Sequence, residues 1–114
     1  MNMSDAETAY KAAEAEIERV RTNGRNLLSL SGEDYKALNG LPDSITQLTT
    51  LTELHLNTNQ VIDLTPIAQL TALTALYISD TLVSDLTPIA KLTTLTTLYL
   101  HNTPVIDLTP IAQL

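Results

Sequence analysis

The sequence predicts an α/β solenoid with short parallel strands and an N-terminal helical cap. Three observations lead to this fold class: a segment that recurs in one register, an apolar set dominated by branched aliphatic residues, and an amphipathic stretch at the N-terminus. Hydrophobic residues make up 44% of the 114 residues, while Phe and Trp are absent. This composition suits a single domain that is built from flat, repeated layers.

The recurring segment sets a period of 22 residues. Residues 63–70 return at 85–92 and at 107–114 as Asp-Leu-Thr-Pro-Ile-Ala, then Gln or Lys, then Leu. The leucines between the copies keep the same register: Leu51, Leu73 and Leu95, then Leu54, Leu76 and Leu98. One strand and one helical turn per unit cannot bury their own apolar faces, but stacked units can.

Each unit alternates leucine with other residues, which predicts a short strand with one buried face. The Thr-Pro pair predicts a helical turn, with Thr65, Thr87 and Thr109 as N-caps and a proline at the first helical position. We expect parallel strands near residues 28–30, 54–56, 76–78 and 98–100, with the helical turns on the convex side. The first unit is longer, so residues 33–38 are expected to add a helical turn before the return over residues 41–48.

The N-terminal stretch has the pattern of a cap. Ser4 and Glu7 form a capping-box pattern, and Asn23-Gly24 ends the helix that we expect near residues 5–22. One helical stripe carries Ala6, Tyr10, Ala13, Ile17 and Val20. We therefore assign residues 1–24 to a capping helix and residues 25–114 to the repeats, of which the first is degenerate and the last is incomplete.

The second unit fits a known consensus. Its pattern L-x-x-L-x-L-x-x-N-x-V consists of Leu51, Leu54, Leu56, Asn59 and Val61. On this pattern the chain resembles the leucine-rich-repeat family over residues 25–114, and within it the 22-residue, internalin-like subclass of bacteria. Thr81 and Thr103 stand where the family has a buried asparagine, so we expect a slightly looser turn there. The resemblance implies a solenoid whose concave sheet binds protein.

Charge and composition narrow the classes of partner. The net charge is −7, and the six basic residues are Lys11, Arg19, Arg21, Arg25, Lys36 and Lys91. Phosphate backbones and anionic membranes attract clustered basic side chains, so we expect neither nucleic acid nor membrane as a partner. The sequence has no cysteine, no signal-peptide pattern and no apolar run of transmembrane length. The expected location is the cytoplasm, with signal-less secretion as an effector as the alternative.

The sequence contains no recognisable catalytic pattern, so we expect no enzyme activity and no cofactor. His55 and His101 lie two strands apart, too far for a zinc ion whose bonds are about 2.1 Å long. Asp63, Asp85 and Asp107 recur at the full period. We interpret them as partners of the helical turns, with a ladder of divalent ions as the alternative, and we predict no metal site.

Alternating strand positions are expected to point onto the concave face of the sheet. They form three columns: Glu53, Ala75 and Thr97; His55, Tyr77 and Tyr99; Asn57, Ser79 and His101. Exposed tyrosines often anchor protein interfaces. The predicted protein-binding residues are Glu53, His55, Asn57, Tyr77, Ser79, Asp80, Tyr99, His101 and Asn102. The alternative interpretation is tyrosine packing that only stabilises the sheet.

The sequence ends at Leu114 within a unit, and no polar cap follows the last strand. We expect either that the natural protein continues or that two chains form a homodimer through this open layer. The first functional hypothesis is a non-catalytic module that binds a protein partner. The second is a self-assembling structural protein, and the third is the recognition fragment of a longer effector enzyme. A repeat scaffold fixes where residues point and not which partner they meet.

Overall fold

The computed structural model describes residues 4–112 and 114 of the chain. A helix, α1 (Asp5–Thr22), precedes four strands: β1 (Leu27–Ser29), β2 (Glu53–His55), β3 (Ala75–Tyr77) and β4 (Thr97–Tyr99). The strands form a parallel sheet in chain order, β1-β2-β3-β4. The predicted α/β solenoid is therefore confirmed, and each strand begins one residue earlier than expected.

The strand register follows the 22-residue period. Leu54 pairs with Leu76, and Leu76 pairs with Leu98, so equivalent residues of successive units are neighbours in the sheet. The N–H of Leu56 donates to the carbonyl of Tyr77 at 2.7 Å, and the next pair of strands repeats this bond at 3.0 Å. A slip of one residue would turn every strand leucine toward solvent, so the apolar pattern fixes the register.

The core consists of columns of stacked aliphatic side chains. Leu54 and Leu76 are fully buried within it. Leu64, Leu86 and Leu108 are equivalent residues of successive units. Leu64 and Leu86 are buried, whereas Leu108 is 55% exposed because no further layer covers it. The last described layer is thus open, as the sequence predicted, and association of two chains through it stays a prediction.

Helix α1 covers the first layer. The hydroxyl of Ser4 accepts a hydrogen bond from the Glu7 N–H at 3.1 Å, and a carboxylate oxygen of Glu7 accepts from the Ser4 N–H at 3.2 Å. These bonds confirm the capping box. After the helix, Gly24 has a φ of 62°, a left-handed conformation that ends helices at low cost.

The buried face of α1 differs in part from the predicted stripe. It consists of Ala9, Ala13, Ile17 and Val20. Tyr10 was wrongly placed in the core, since it is 37% exposed, and Ala6 is only half-buried. Ala9 lies on the buried face instead. The hydroxyl of a tyrosine needs a hydrogen-bond partner when it is buried, whereas an alanine side chain needs none.

The Thr-Pro-Ile segments form single 3-10 turns: Thr65–Ile67, Thr87–Ile89 and Thr109–Ile111. The prediction that these threonines are N-caps is wrong, because each is the first residue of its turn and the leucine before it makes no side-chain cap bond. The aspartate two residues earlier supplies the acceptor. Asp63 accepts a hydrogen bond from the Thr65 N–H at 2.9 Å, and the two later repeats have the same bond at the same length.

The first unit contains two 3-10 turns. One covers Glu33–Tyr35, which is shorter than the helical turn predicted over residues 33–38. Leu38, which follows this turn, is fully buried in the core. The second turn, Asp43–Gln47, makes the expected return toward β2.

A buried asparagine holds the turn that follows β2. The side-chain amide of Asn59 donates to the carbonyl of Leu56 at 2.7 Å and to that of Leu30, in the preceding unit, at 3.5 Å. Its oxygen accepts from the Val61 N–H at 3.1 Å. Asn59 therefore satisfies buried backbone groups in its own unit and contacts the unit before it.

Threonine replaces only part of this arrangement in the later units. The hydroxyl of Thr81 donates to the carbonyl of Ile78 at 2.8 Å and accepts from the Val83 N–H at 3.4 Å. Thr103 donates likewise to the carbonyl of Leu100 at 2.8 Å. The longer bond to Val83 agrees with the looser turn that the sequence predicted.

We predict that Asn59→Ala lowers the free energy of unfolding by about 2–3 kcal/mol, because the Leu56 carbonyl and the Val61 N–H lose their buried partner. Thr81→Ala is the matched control and should cost about 1 kcal/mol, since two hydrogen bonds are lost rather than three. Urea unfolding followed by circular dichroism measures both values. Equal losses for the two variants would contradict this account of the turn.

Candidate functional site

The predicted columns lie on the concave face, which is the sheet face turned away from the leucine core. One register position holds Glu53, Ala75 and Thr97, and the position two residues later holds His55, Tyr77 and Tyr99. The intervening Leu54 and Leu76 are fully buried, whereas the column residues are partly or largely exposed. The alternation along each strand thus separates the core from a continuous outer surface.

The central column is a continuous stack of rings. The rings of His55 and Tyr77 are stacked, with centroids 4.3 Å apart and planes inclined by 18°. The rings of Tyr77 and Tyr99 follow at 4.8 Å and 37°. Parallel strands lie about 4.8 Å apart, so the register alone brings equivalent rings into contact. Tyr77 is half-buried in the middle of this ring stack, and Tyr99 at its end is 54% exposed.

Glu53 contacts His55 at the other end of the ring stack. Its Oε2 atom lies 2.6 Å from Nε2 of His55. The two side chains stay 37% and 29% exposed, so the pair remains accessible from solvent. The sequence placed both residues on this face but did not predict the bond. Their spacing of two residues along one strand was the available signal, because such residues share a face.

The third column is linked from strand to strand by side-chain bonds. The N–H of Ser79 donates to Oδ1 of Asn57 at 2.9 Å, and the N–H of His101 donates to the hydroxyl of Ser79 at 3.0 Å. Beside this column, the amide of Asn102 donates to Oδ1 of Asp80 at 2.7 Å. The structure therefore brings all nine predicted binding residues onto one face of the sheet and the loop edge beside it.

Thr58 lies on the same loop edge, but it was not among the binding residues predicted from the sequence. It is the equivalent of Asp80 and Asn102, and all three residues have left-handed φ angles, between 56° and 63°. Aspartate and asparagine tolerate this conformation well, whereas it is strained for a β-branched threonine. The 22-residue alignment with Asp80 was the signal that could have identified this position.

The chemistry of this face is that of hydrogen bonding and aromatic contact. Within residues 4–112 and 114, no group of three or more His, Asp and Glu side chains is arranged to hold a metal ion. His55 lies on β2, and His101 follows β4 in a different column. The helix in this same part of the chain is not long and apolar enough to span a membrane.

Each recurring aspartate accepts a hydrogen bond from the first residue of a 3-10 turn. The pKa of Asp63, Asp85 and Asp107 is lowered in each case, first by a hydrogen bond from the hydroxyl of the threonine two residues later and then by one from its N–H. In the first of these turns the hydroxyl of Thr65 donates to Asp63 at 2.6 Å. These bonds support the interpretation of the aspartates as turn partners rather than as a ladder of divalent ions.

Asp63→Asn should reduce the free energy of unfolding most near neutral pH. A carboxylate whose folded-state pKa is lowered stabilises the fold fully above its unfolded-state pKa, near 3.8, and this contribution is lost as the pH falls through the folded-state value. The difference between wild type and variant in urea unfolding should therefore shrink as the pH is lowered from about 7 to below 3.8. Thr65→Val keeps the N–H donor and should show a smaller difference. A pH-independent effect of Asp63→Asn would disprove the assignment.

This architecture resembles that of known repeat proteins. The family model described as Leucine Rich repeats (2 copies) matches residues 71–113. An internalin (inlF) from Listeria monocytogenes str. 4b F2365 is similar in structure, with a TM-score of 0.74 and 29% identity over 96% of this chain and 33% of that one. Internalin C2 (inlC2) from the same strain gives a TM-score of 0.61 and 38% identity over 68% of this chain and 35% of that one.

The chain spans about a third of the length of these two internalins. A search of curated proteins gives no significant match. The repeat match over residues 71–113 includes the units that contain β3 and β4. The chain is therefore similar to leucine-rich repeats over residues 71–113 and to two internalins from Listeria monocytogenes in structure.

Proposed function

We propose that the chain is a non-catalytic protein-binding module whose concave face is the binding surface. The observation that carries this proposal is the ring stack of His55, Tyr77 and Tyr99 on an accessible sheet. The leucine-rich repeats and the likeness to internalins support the general class of protein-binding repeat module.

The ring stack suits binding because its side chains are already ordered. An aromatic residue that is free in solution loses rotamer freedom when a partner immobilises it, and a stacked one has lost much of that freedom on folding. Tyr99 combines this order with an exposure of 54%. Rigid, amphipathic aromatic side chains of this kind are frequent anchors of protein interfaces.

The neighbours of the ring stack provide access and polarity. Ala75 and Thr97 fill the adjacent column with small side chains, so a partner can approach the rings from that side. Asp80 and Asn102 are exposed on the opposite side and offer hydrogen-bonding groups. Stacking also stabilises the sheet, and this structural role is compatible with a role in binding.

We expect the double variant Tyr77→Ala, Tyr99→Ala to keep the fold and to lose partner capture by about tenfold or more. The immobilised chain is exposed to cell extract, the retained proteins are identified by mass spectrometry, and their amounts are compared between wild type and variant. Circular dichroism should show the wild-type spectrum, with the midpoint of thermal unfolding lowered by several degrees at most.

Tyr10→Ala is the matched control, because it removes an exposed tyrosine from α1, away from the sheet. It should leave capture unchanged. If the double variant captured the same proteins in the same amounts as wild type, the proposed binding surface would be wrong.

A further inference from the structure

Two of the seven asparagines in the chain precede a glycine, in the pairs Asn23-Gly24 and Asn39-Gly40. An asparagine at such a position can lose its side-chain amide without a catalyst, because the small glycine lets its own backbone nitrogen reach Cγ of the asparagine. Both asparagines are exposed to solvent. Sequence and exposure therefore do not distinguish the two pairs, and the backbone of each pair decides its reactivity.

The end of α1 holds the first pair in an unreactive conformation. The N–H of Asn23 donates to the carbonyl of Arg19 at 3.1 Å, and the N–H of Gly24 donates to that of Arg21 at 3.4 Å. Closure of a five-membered ring requires the glycine nitrogen to lie nearly eclipsed with Cβ of the asparagine about the Cα–C bond. The ψ of Asn23 is 0°, which instead eclipses this nitrogen with the backbone nitrogen of Asn23. The helix end must therefore open before the ring can close.

The second pair lies in a loop without such restraints. Asn39 and Gly40 belong to no helix or strand. Among the described residues, 4–112 and 114, neither of their N–H groups has a hydrogen-bond acceptor. The φ of Gly40 lies outside the left-handed region, and a Cβ atom added there would meet no atom within 4 Å. No bond from this pair thus opposes rotation into the arrangement that ring closure requires.

The core fixes the loop on both sides. Leu38 is fully buried, and Leu41 is 7% exposed. The carbonyl of Leu38 also accepts a hydrogen bond from the N–H of Gln60 at 2.8 Å, beside the buried turn asparagine Asn59. The two leucines set the length of backbone between them, so an added backbone atom would displace a core residue or break the bond to Gln60.

We propose that Asn39 is a site of spontaneous deamidation, at which isoaspartate forms and loosens the first unit. The Gly40 nitrogen gives its proton to water and bonds to Cγ of Asn39, and the side-chain nitrogen leaves as ammonia. Water then opens the cyclic imide on either side of the ring nitrogen. The sum of the steps consumes one water and releases one ammonia, with no oxidant or reductant.

The two ways of opening the imide have different structural consequences. Cleavage of the bond to Cγ gives aspartate, which changes only an exposed side chain. Cleavage of the bond to the backbone carbonyl carbon gives isoaspartate, whose backbone runs through Cβ and Cγ and is longer by one methylene. The extra length lies between Leu38 and Leu41, both of which are in the core.

The first test compares the two pairs within one chain. The full chain is aged at mildly alkaline pH, and peptide mapping by mass spectrometry follows the loss of each amide. We expect Asn39 to react about tenfold faster than Asn23 in the folded chain, and both to react at similar rates in guanidinium chloride. Gly40→Ala should keep the fold, because the site has room for a Cβ atom, and should slow the reaction at Asn39 about tenfold.

The second test measures the consequence for the fold. The isoaspartate form is separated from the aged chain, and amide hydrogen exchange is followed at the N–H of Gln60. We expect this exchange to be about tenfold faster than in the fresh chain, because the bond to the Leu38 carbonyl is weakened. The matched control is Asn39→Asp, which adds the same charge without lengthening the backbone and should stay within about twofold of wild type.

Equal rates at Asn23 and Asn39 in the folded chain, or an unchanged rate at Asn39 in Gly40→Ala, would overturn the assignment of the site. Wild-type exchange at Gln60 in the isoaspartate form would overturn its effect on the first unit. Equally fast exchange in Asn39→Asp would do so as well, because the added charge and not the longer backbone would then be the cause.

Discussion

Parallel pairing of strands at an interval of 22 residues is the constraint on which the rest of the structure depends. It places each residue beside its equivalent in the next unit, as Leu54 lies beside Leu76. The leucines then stack into a core that no single unit could form. Where this support ends, burial ends with it: Leu108 is 55% exposed although Leu64 and Leu86 are buried.

The same interval that builds the core also builds the candidate site. On the concave face, side chains 22 residues apart come within bonding or stacking distance, as in the ring stack and in the bond from Asn102 to Asp80. Residues on this face do not have to fill the core, so they can vary from unit to unit. Glu53, Ala75 and Thr97 occupy one column with three different chemistries. The repeats thus fix the backbone positions, while the side chains of the concave face differ from unit to unit and can form a specific surface.

The sequence was sufficient for the fold and for the direction of the concave side chains, because both follow from periodicity and strand alternation. It was insufficient where a choice depended on local packing. Tyr10 lies outside the buried face of α1, on which Ala9 lies instead. The capping role of Asp63 was assigned to Thr65 because both residue types bond to backbone N–H groups at such turns. The short bond between Glu53 and His55 depends on side-chain rotamers that spacing alone does not determine.

The central claim is that the 22-residue register orders the aromatic side chains of the concave face. Nuclear Overhauser effects between ring protons in the chain in solution test it most directly. The structure predicts strong effects between His55 and Tyr77 and between Tyr77 and Tyr99, together with methyl contacts between Leu54 and Leu76. Ring contacts at a different sequence interval, or none between these pairs, would contradict the account.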